Sequence, residues 1–306
     1  MRFGVHAGLQ YTTPSELGAL WRRAESGGFE WVSVWDHFYA ADATFDDGKM
    51  TSGSVCLEAV ATHAALACAT SSVLCGSLVY SVGYRHPAVL ANAIATIDHL
   101  SGGRAVLGLG AGWHEAEYRA YGIPFPPAPI RLRQLDEAIQ CVRLLLTEDS
   151  ADFQGEFFEL SGARCDPKPV QQRLPLWIGG SGEKVTLRIV AEHADGWNIT
   201  FHAPADYRRK VAVLEAHCER ASRDPASITK SVNLTVAADD SVLRARFGGT
   251  ADYIRPSALM GTPQQMVDRI GEYADAGADW IILALRAPFD LDELDRFAAE
   301  VLPNAS

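Results

Sequence analysis

No stretch of this 306-residue chain is apolar for long enough to cross a bilayer. Its most hydrophobic window, residues 64–84, is broken by Thr70-Ser71-Ser72 and reads as helix, turn and strand. Basic residues are the minority: 27 Lys and Arg face 38 Asp and Glu, a formal charge of −11 with the acids spread along the chain. That balance argues against nucleic acid or an anionic membrane as the main partner, and for a small-molecule substrate. An anionic ligand stays open wherever backbone amides or a few Arg and Lys gather. The six cysteines (56, 68, 75, 141, 165 and 218) form no CxxC pair and no Cys/His group with zinc spacing. They read as small, reduced core residues of a cytoplasmic protein. Without an HExxH pair no catalytic metal is expected, and without GxSxG or an activated cysteine neither is a covalent hydrolase. A strand beginning as early as Phe3 predicts that no secretory leader is present. No Pro/Ser-rich linker divides the chain, so residues 1–306 are read as one domain.

What the chain does have is a regular alternation of two hydrophobic periods. Strands are predicted over residues 3–9, 31–35, 73–80, 105–112, 176–180, 196–200, 228–238 and 280–285, each followed by a helical pattern. Thr13-Pro14-Ser15-Glu16 is a capping box with proline at the first helical position, and Leu17, Leu20, Trp21 and Ala24 follow until Gly27-Gly28. Later helices are predicted near 55–69, from His86-Pro87 to Ser101, and across Leu132, Leu135, Ile139, Val142 and Leu146. Others start at Ser181 as N-cap, run near 204–222, follow the Thr262–Gln265 box over 263–276, and follow Asp290. Eight such units predict an α/β fold, a (β/α)8 TIM barrel; an open doubly wound sheet shares the local pattern. Long insertion loops at 37–54, 113–131 and 239–261 leave the C-terminal face, where barrel enzymes carry their chemistry. The segment 153–175, with Gly155 and Gly162, reads as a small hairpin with a structural or interface role.

Asp36 and His37 fall at the tip of the second strand. An imidazole beside a carboxylate can exchange protons near neutral pH; the alternative is Asp36 capping a turn with His37 packed on it. Strand five ends in Gly179-Gly180-Ser181-Gly182, where backbone amides and a helix N-terminus can meet a phosphate. A tight βα turn explains only one or two of these glycines, and neither the P-loop nor the dinucleotide fingerprint is matched. Strand four ends Gly108-Leu109-Gly110-Ala111-Gly112-Trp113-His114, small residues against which a flat ring could lie. Trp113 either stacks on that ring or caps the core, and His114 and Glu115 are candidate polar contacts. Periodicity does not say whether His6 points into or out of the first strand, and His63, His99 and His193 carry little signal.

Taken together, WVSVWDHF, GSLVYSVGYRHPAVLA, LSGGRAVLGLGAGWHEAEYRAYGIPFPP and LWIGGSGEKVTLRIVAEHADGWN resemble the bacterial-luciferase-like superfamily. The similarity is greatest to its coenzyme F420-dependent oxidoreductase branch, over about residues 1–200 and more loosely beyond. The resemblance implies a (β/α)8 barrel, a homodimer, and hydride transfer between the deazaflavin and a small organic carbonyl, enone or alcohol. It makes His37 catalytic, taking or giving the substrate's proton, with Asp36 by the ring. It places a non-prolyl cis peptide at Ser77–Leu78 behind the ring, phosphate at Gly179, Gly180 and Ser181, and the strand-four mouth at Ala111 and Gly112. Members that oxidise a sugar phosphate carry glutamate where this chain has Trp113, so a flatter, more apolar substrate near Trp113 and His114 is expected. The same barrel also serves FMN-dependent monooxygenases, which is the alternative. A non-redox phosphate-binding isomerase or aldolase would need a lysine or carboxylate pair at strand tips, and Lys184 is the only lysine nearby. A catalytically silent binding protein is the remaining option.

Overall fold

The computed structural model describes residues 1–40, 44–46, 49–52 and 55–305. Eight parallel strands carry the architecture: β1 (Arg2–Ala7), β2 (Trp31–Val34), β3 (Leu74–Ser77), β4 (Ala105–Gly110), β5 (Leu176–Gly179), β6 (Gly196–Thr200), β7 (Thr229–Leu234) and β8 (Trp280–Leu285). Each pairs with the next, β8 pairs with β1, and β4 pairs with β5, so the sheet closes on itself. This is the expected (β/α)8 barrel, and an open sheet is excluded. Helices α1 (Pro14–Ser26), α2 (Ala59–Ala69), α3 (Pro87–Ser101), α4 (Ala128–Thr147), α5 (Thr186–His193), α6 (Pro204–Arg220), α7 (Pro263–Asp275) and α8 (Leu291–Glu300) surround it.

Local chemistry starts these helices where the sequence says. Thr13 accepts the Glu16 amide at 3.3 Å while Glu16 takes the Thr13 amide at 2.8 Å, two otherwise orphaned donors satisfied at once. Thr262 and Gln265 repeat the box on α7, and Asp290 caps α8. α1 then buries Leu17, Leu20, Trp21 and Ala24 against the barrel.

Several boundaries differ from expectation. The third strand stops at Ser77 and resumes at Tyr80–Ser81, and between them a cis peptide joins Leu78 to Val79, one residue beyond the Ser77–Leu78 bond expected. The seventh strand is likewise split, its continuation Val236–Ala237 pairing with Leu259–Met260. α5 begins at Thr186 rather than behind Ser181, and its flanking Val185 offers no side-chain cap. The expected loops carry structure of their own: Glu115–Ala120 and Asp240–Phe247 are helical, and Thr44–Asp46 pairs with Lys49–Ser52. Positions 41–43, 47–48 and 53–54 of the 37–54 loop lie outside the described residues. The 153–175 hairpin is present, Ala151–Gln154 running antiparallel to Glu159–Ala163.

Most of the core lies between barrel and helices. Inside the barrel, Trp31, Leu78, Val106, Trp177, Trp280 and Ile282 form a separate packed layer. Trp31 stacks on Trp177 at 4.7 Å and meets Trp280 edge-on at 6.1 Å. Glycine is required beside them: a Cβ on Gly76 would lie 2.1 Å from Trp31, and one on Gly196 would lie 2.4 Å from Trp177. Trp31 and Trp280 open their strands, so this layer floors the barrel and leaves the C-terminal mouth open. Among the described residues no helix is long and apolar enough to cross a membrane. All six cysteines are free, four of them buried.

Candidate active site

At the C-terminal mouth lies a cavity of about 570 Å³, within the range typical of small-molecule sites. Asp36, His37, Leu78, Ala111, Gly112, Trp113, His114, Gly179, Gly180 and Ser181 all line it, so ten residues singled out from sequence meet in one place. Ser77 does not line it: its hydroxyl bridges Gly108 on β4, donating to the carbonyl at 3.1 Å and accepting the amide at 3.0 Å. Its part is to tie the broken third strand to the fourth.

Asp36 is buried, and its Oδ2 accepts from the Ser81 amide at 3.0 Å and from Arg85 Nη1 at 2.7 Å. Burial raises its pKa above the ordinary carboxylate value, and the Arg85 charge offsets part of that rise. Its Oδ1 is buried with no hydrogen-bond partner among the described residues. Arg85 also pairs with Glu58, the residue that caps α2.

His37 is held by a residue that sequence reasoning missed. Its Nδ1 lies 2.9 Å from Glu117 Oε2, on the short helix after β4. Glu115, expected as a candidate polar contact, is exposed and pairs with Arg119. The indoles of Trp35 and Trp113 stand edge-on to the imidazole at 5.0 and 5.5 Å, and Trp113 stacks on His114 at 4.9 Å. Trp113 is 63% exposed although it lines the cavity, so it presents a bare apolar face at the mouth instead of capping the core.

The glycines of strand four serve packing more than ring contact. A Cβ on Gly108 would fall 2.0 Å from the Ser77 carbonyl, one on Gly110 2.6 Å from Val79, and one on Gly112 2.1 Å from the Tyr118 hydroxyl. From the other side, a Cβ on Gly179 would fall 2.9 Å from Val79. Val79 thus fills a slot between two glycine-bearing strands and in turn lines the cavity. Gly180 sits at φ +129, where side chains are strained. Its amide donates to the Asn198 carbonyl at 3.0 Å, and its carbonyl accepts from Trp197 Nε1 at 2.9 Å. Its own N–H is therefore committed to the barrel, although Gly179, Gly180 and Ser181 all line the cavity.

Residues 1–248 match the family described as luciferase-like monooxygenase. The chain belongs to that family. Similar proteins include an uncharacterized protein of Mycobacterium tuberculosis, 30% identical over 284 residues that span 89% of this chain and 96% of the relative. The F420-dependent glucose-6-phosphate dehydrogenase of Kineococcus radiotolerans is 28% identical over 247 residues, 80% of this chain and 70% of its own. A solved structure of an F420-dependent secondary alcohol dehydrogenase in complex with an F420-acetone adduct matches with a TM-score of 0.86, covering 100% of this chain and 99% of that one. At 22% identity that likeness is one of fold.

Two further lining residues of this luciferase-like barrel escaped the sequence. His6 points inward from β1, with Nδ1 2.9 Å from the Ser33 hydroxyl, and burial lowers its pKa to about 4, the nearby His37 adding to the shift. It stays neutral under ordinary conditions. Asn198 lines the wall from β6 and donates to Ser231 and Asn233, both at 2.9 Å.

Proposed function

We propose that this protein is an oxidoreductase that works with coenzyme F420 and moves a hydride to or from a small organic carbonyl, enone or alcohol. The observation that carries this reading is His37, an imidazole on the cavity wall whose Nδ1 is engaged and whose Nε2 has no hydrogen-bond partner among the described residues. The cavity suits a flat ring system. Val79, Leu132, Leu135 and Leu285 supply apolar wall, and the unpartnered Oδ1 of Asp36 offers an acceptor to a ring N–H or O–H. Ser181 lines the cavity ahead of the N-terminus of α5, which supports it as the residue that would meet a phosphate. When bound, the deazaflavin would supply hydride transfer at one ring carbon.

The chain's own residues then have definite work. His37 Nε2 accepts the proton that an alcohol oxygen releases, or as imidazolium returns one to a carbonyl oxygen. Trp35 and Trp113 flank the imidazole and keep water from its edges. The F420-dependent glucose-6-phosphate dehydrogenase at 28% identity supports the cofactor assignment, and the exposed face of Trp113 supports a flat, apolar substrate. The family's description favours a second reading, an FMN-dependent monooxygenase. An aldolase acting through lysine has no support, since no described lysine lines the cavity.

Titration of the purified protein with F420 and with FMN, followed by fluorescence, tests the choice. Tight F420 binding and alcohol or carbonyl turnover without oxygen uptake are expected. Oxygen consumption coupled to reduced FMN would establish the second reading instead. His37→Ala should lower kcat by about two to four orders of magnitude while F420 affinity stays unchanged. An unaltered kcat would remove His37 from the chemistry.

A further inference from the structure

Glu117 draws more donors than any other group around the cavity. Its side chain is wholly buried, yet Oε1 accepts the amides of Phe38 and Tyr39, each at 2.9 Å. Oε2 accepts the Tyr84 hydroxyl at 2.6 Å and lies 2.9 Å from His37 Nδ1 and 3.5 Å from His114 Nδ1. Burial works against its charge, but the nearby His114 and the bonds with His37 and Tyr84 hold its pKa well below the ordinary carboxylate range. The group is an anion, and an anionic carboxylate can only accept. At 2.9 Å the proton between it and the imidazole therefore belongs to Nδ1.

We propose that Glu117 is a positioning residue that locks neutral His37 in the Nδ1–H tautomer, so that Nε2 meets the cavity as a lone pair. This rests on the reading of His37 as the group that meets substrate. The proton balance follows directly. As a substrate alcohol gives up its hydride, its O–H bond breaks and the proton passes to Nε2, which converts His37 to an imidazolium facing the Glu117 anion. In the reverse direction the imidazolium returns that proton to the carbonyl oxygen and the Nδ1–H tautomer is restored. Without the carboxylate the imidazole is free to carry its proton on Nε2, where it blocks acceptance. Glu117 touches neither substrate nor cofactor. It acts through His37, and through the amides of Phe38 and Tyr39, which fix the segment that carries the ring.

Glu117→Gln tests this at nearly constant shape. The amide oxygen can still accept from Phe38 and Tyr39, but its NH2 group must face Nδ1 and turns that nitrogen into an acceptor. Nitrogen-15 NMR of histidine-labelled protein without cofactor, with the His37 signals assigned by their loss in His37→Ala, reads the tautomer directly. Wild type should show protonated Nδ1 and unprotonated Nε2, and Glu117→Gln should show the reverse. In turnover the variant should lose up to about 10⁴-fold in kcat, the size seen when a carboxylate that orients a catalytic histidine is amidated, with F420 affinity unchanged. Tyr84→Phe removes a different donor to the same carboxylate and should keep the wild-type tautomer. A wild-type His37 protonated on Nε2 would overturn the proposal, and that measurement needs no variant to fold. So would a Glu117→Gln protein with the wild-type tautomer. If the tautomer follows the prediction but F420 does not bind, the positioning role stands and the cofactor assignment falls.

Discussion

Replacing Gly76 with alanine puts a methyl group where the indole of Trp31 already sits. An ideal Cβ at that position lies 2.1 Å from Trp31 Cζ2 and 2.5 Å from Cη2, whereas carbon atoms in contact rest at about 3.5–4.0 Å. The indole has nowhere to go. Trp177 is stacked on it at 4.7 Å, Trp280 abuts it at 6.1 Å, and a Cβ on Gly4 would lie 2.7 Å from its own Cβ. The overlap must be absorbed by strained rotamers or a shifted strand, at a cost of about 1–3 kcal/mol. Trp31→Ala alone should cost about 3–5 kcal/mol through lost burial and the void it leaves. In that background the same methyl enters empty space and contributes about 0.8 kcal/mol of burial. The two changes should therefore couple by about 2–4 kcal/mol, in favour of the double variant. Far-UV circular dichroism melts of the four proteins read this out, at roughly 2 °C per kcal/mol for a chain of this size. Gly76→Ala should lower the midpoint by about 2–6 °C alone and raise it by about 1–2 °C beside Trp31→Ala. Equal losses in both backgrounds would refute the packed floor.

Two more outcomes follow from charge. Arg85→Met leaves the buried Asp36 without its cation and should cost about 3–5 kcal/mol at neutral pH. Because the Asp36 pKa is already raised by burial, and rises further without Arg85, that loss should shrink as pH falls and the carboxyl takes up a proton; urea unfolding at two pH values that gives one constant loss would contradict this. Glu25 takes the amides of Ser71 and Ser72 at 2.8 and 2.6 Å, clamping the turn before β3. Although slight burial opposes it, these bonds lower its pKa to about 2. Its contribution is thus present above the unfolded-state pKa of about 4.3 and lost as pH falls through about 2. Glu25→Gln should melt below wild type at pH 7 and level with it near pH 2, and a gap that persists in acid would exclude the clamp.

The fold was legible because punctuation and period agreed: the Thr13–Glu16 and Thr262–Gln265 boxes and the Asp290 cap stand where the sequence places them. The family resemblance and eight-fold alternation located ten of the eleven site residues on one cavity. What escaped has physical reasons. Barrel strands are apolar on both faces, so alternation could not orient His6. Glu115 and Glu117 share a six-residue helix, too short for a periodic signal, and only its fold against the 37–39 segment decides which is buried. The glycines at the end of β4 and just beyond it looked like room for a ligand because sequence does not show that Val79 and Tyr118 fill that room.

One consequence of the Glu117 carboxylate bears on how such barrels can be recombined. It sits on the excursion after β4 yet grips the main chain of the excursion after β2, with Tyr84 from a third segment closing the latch. These stretches are separate in sequence but form a single heritable unit. A chimera that imports either one alone from another barrel would sever the latch, whereas grafting all three together should carry the pocket across intact.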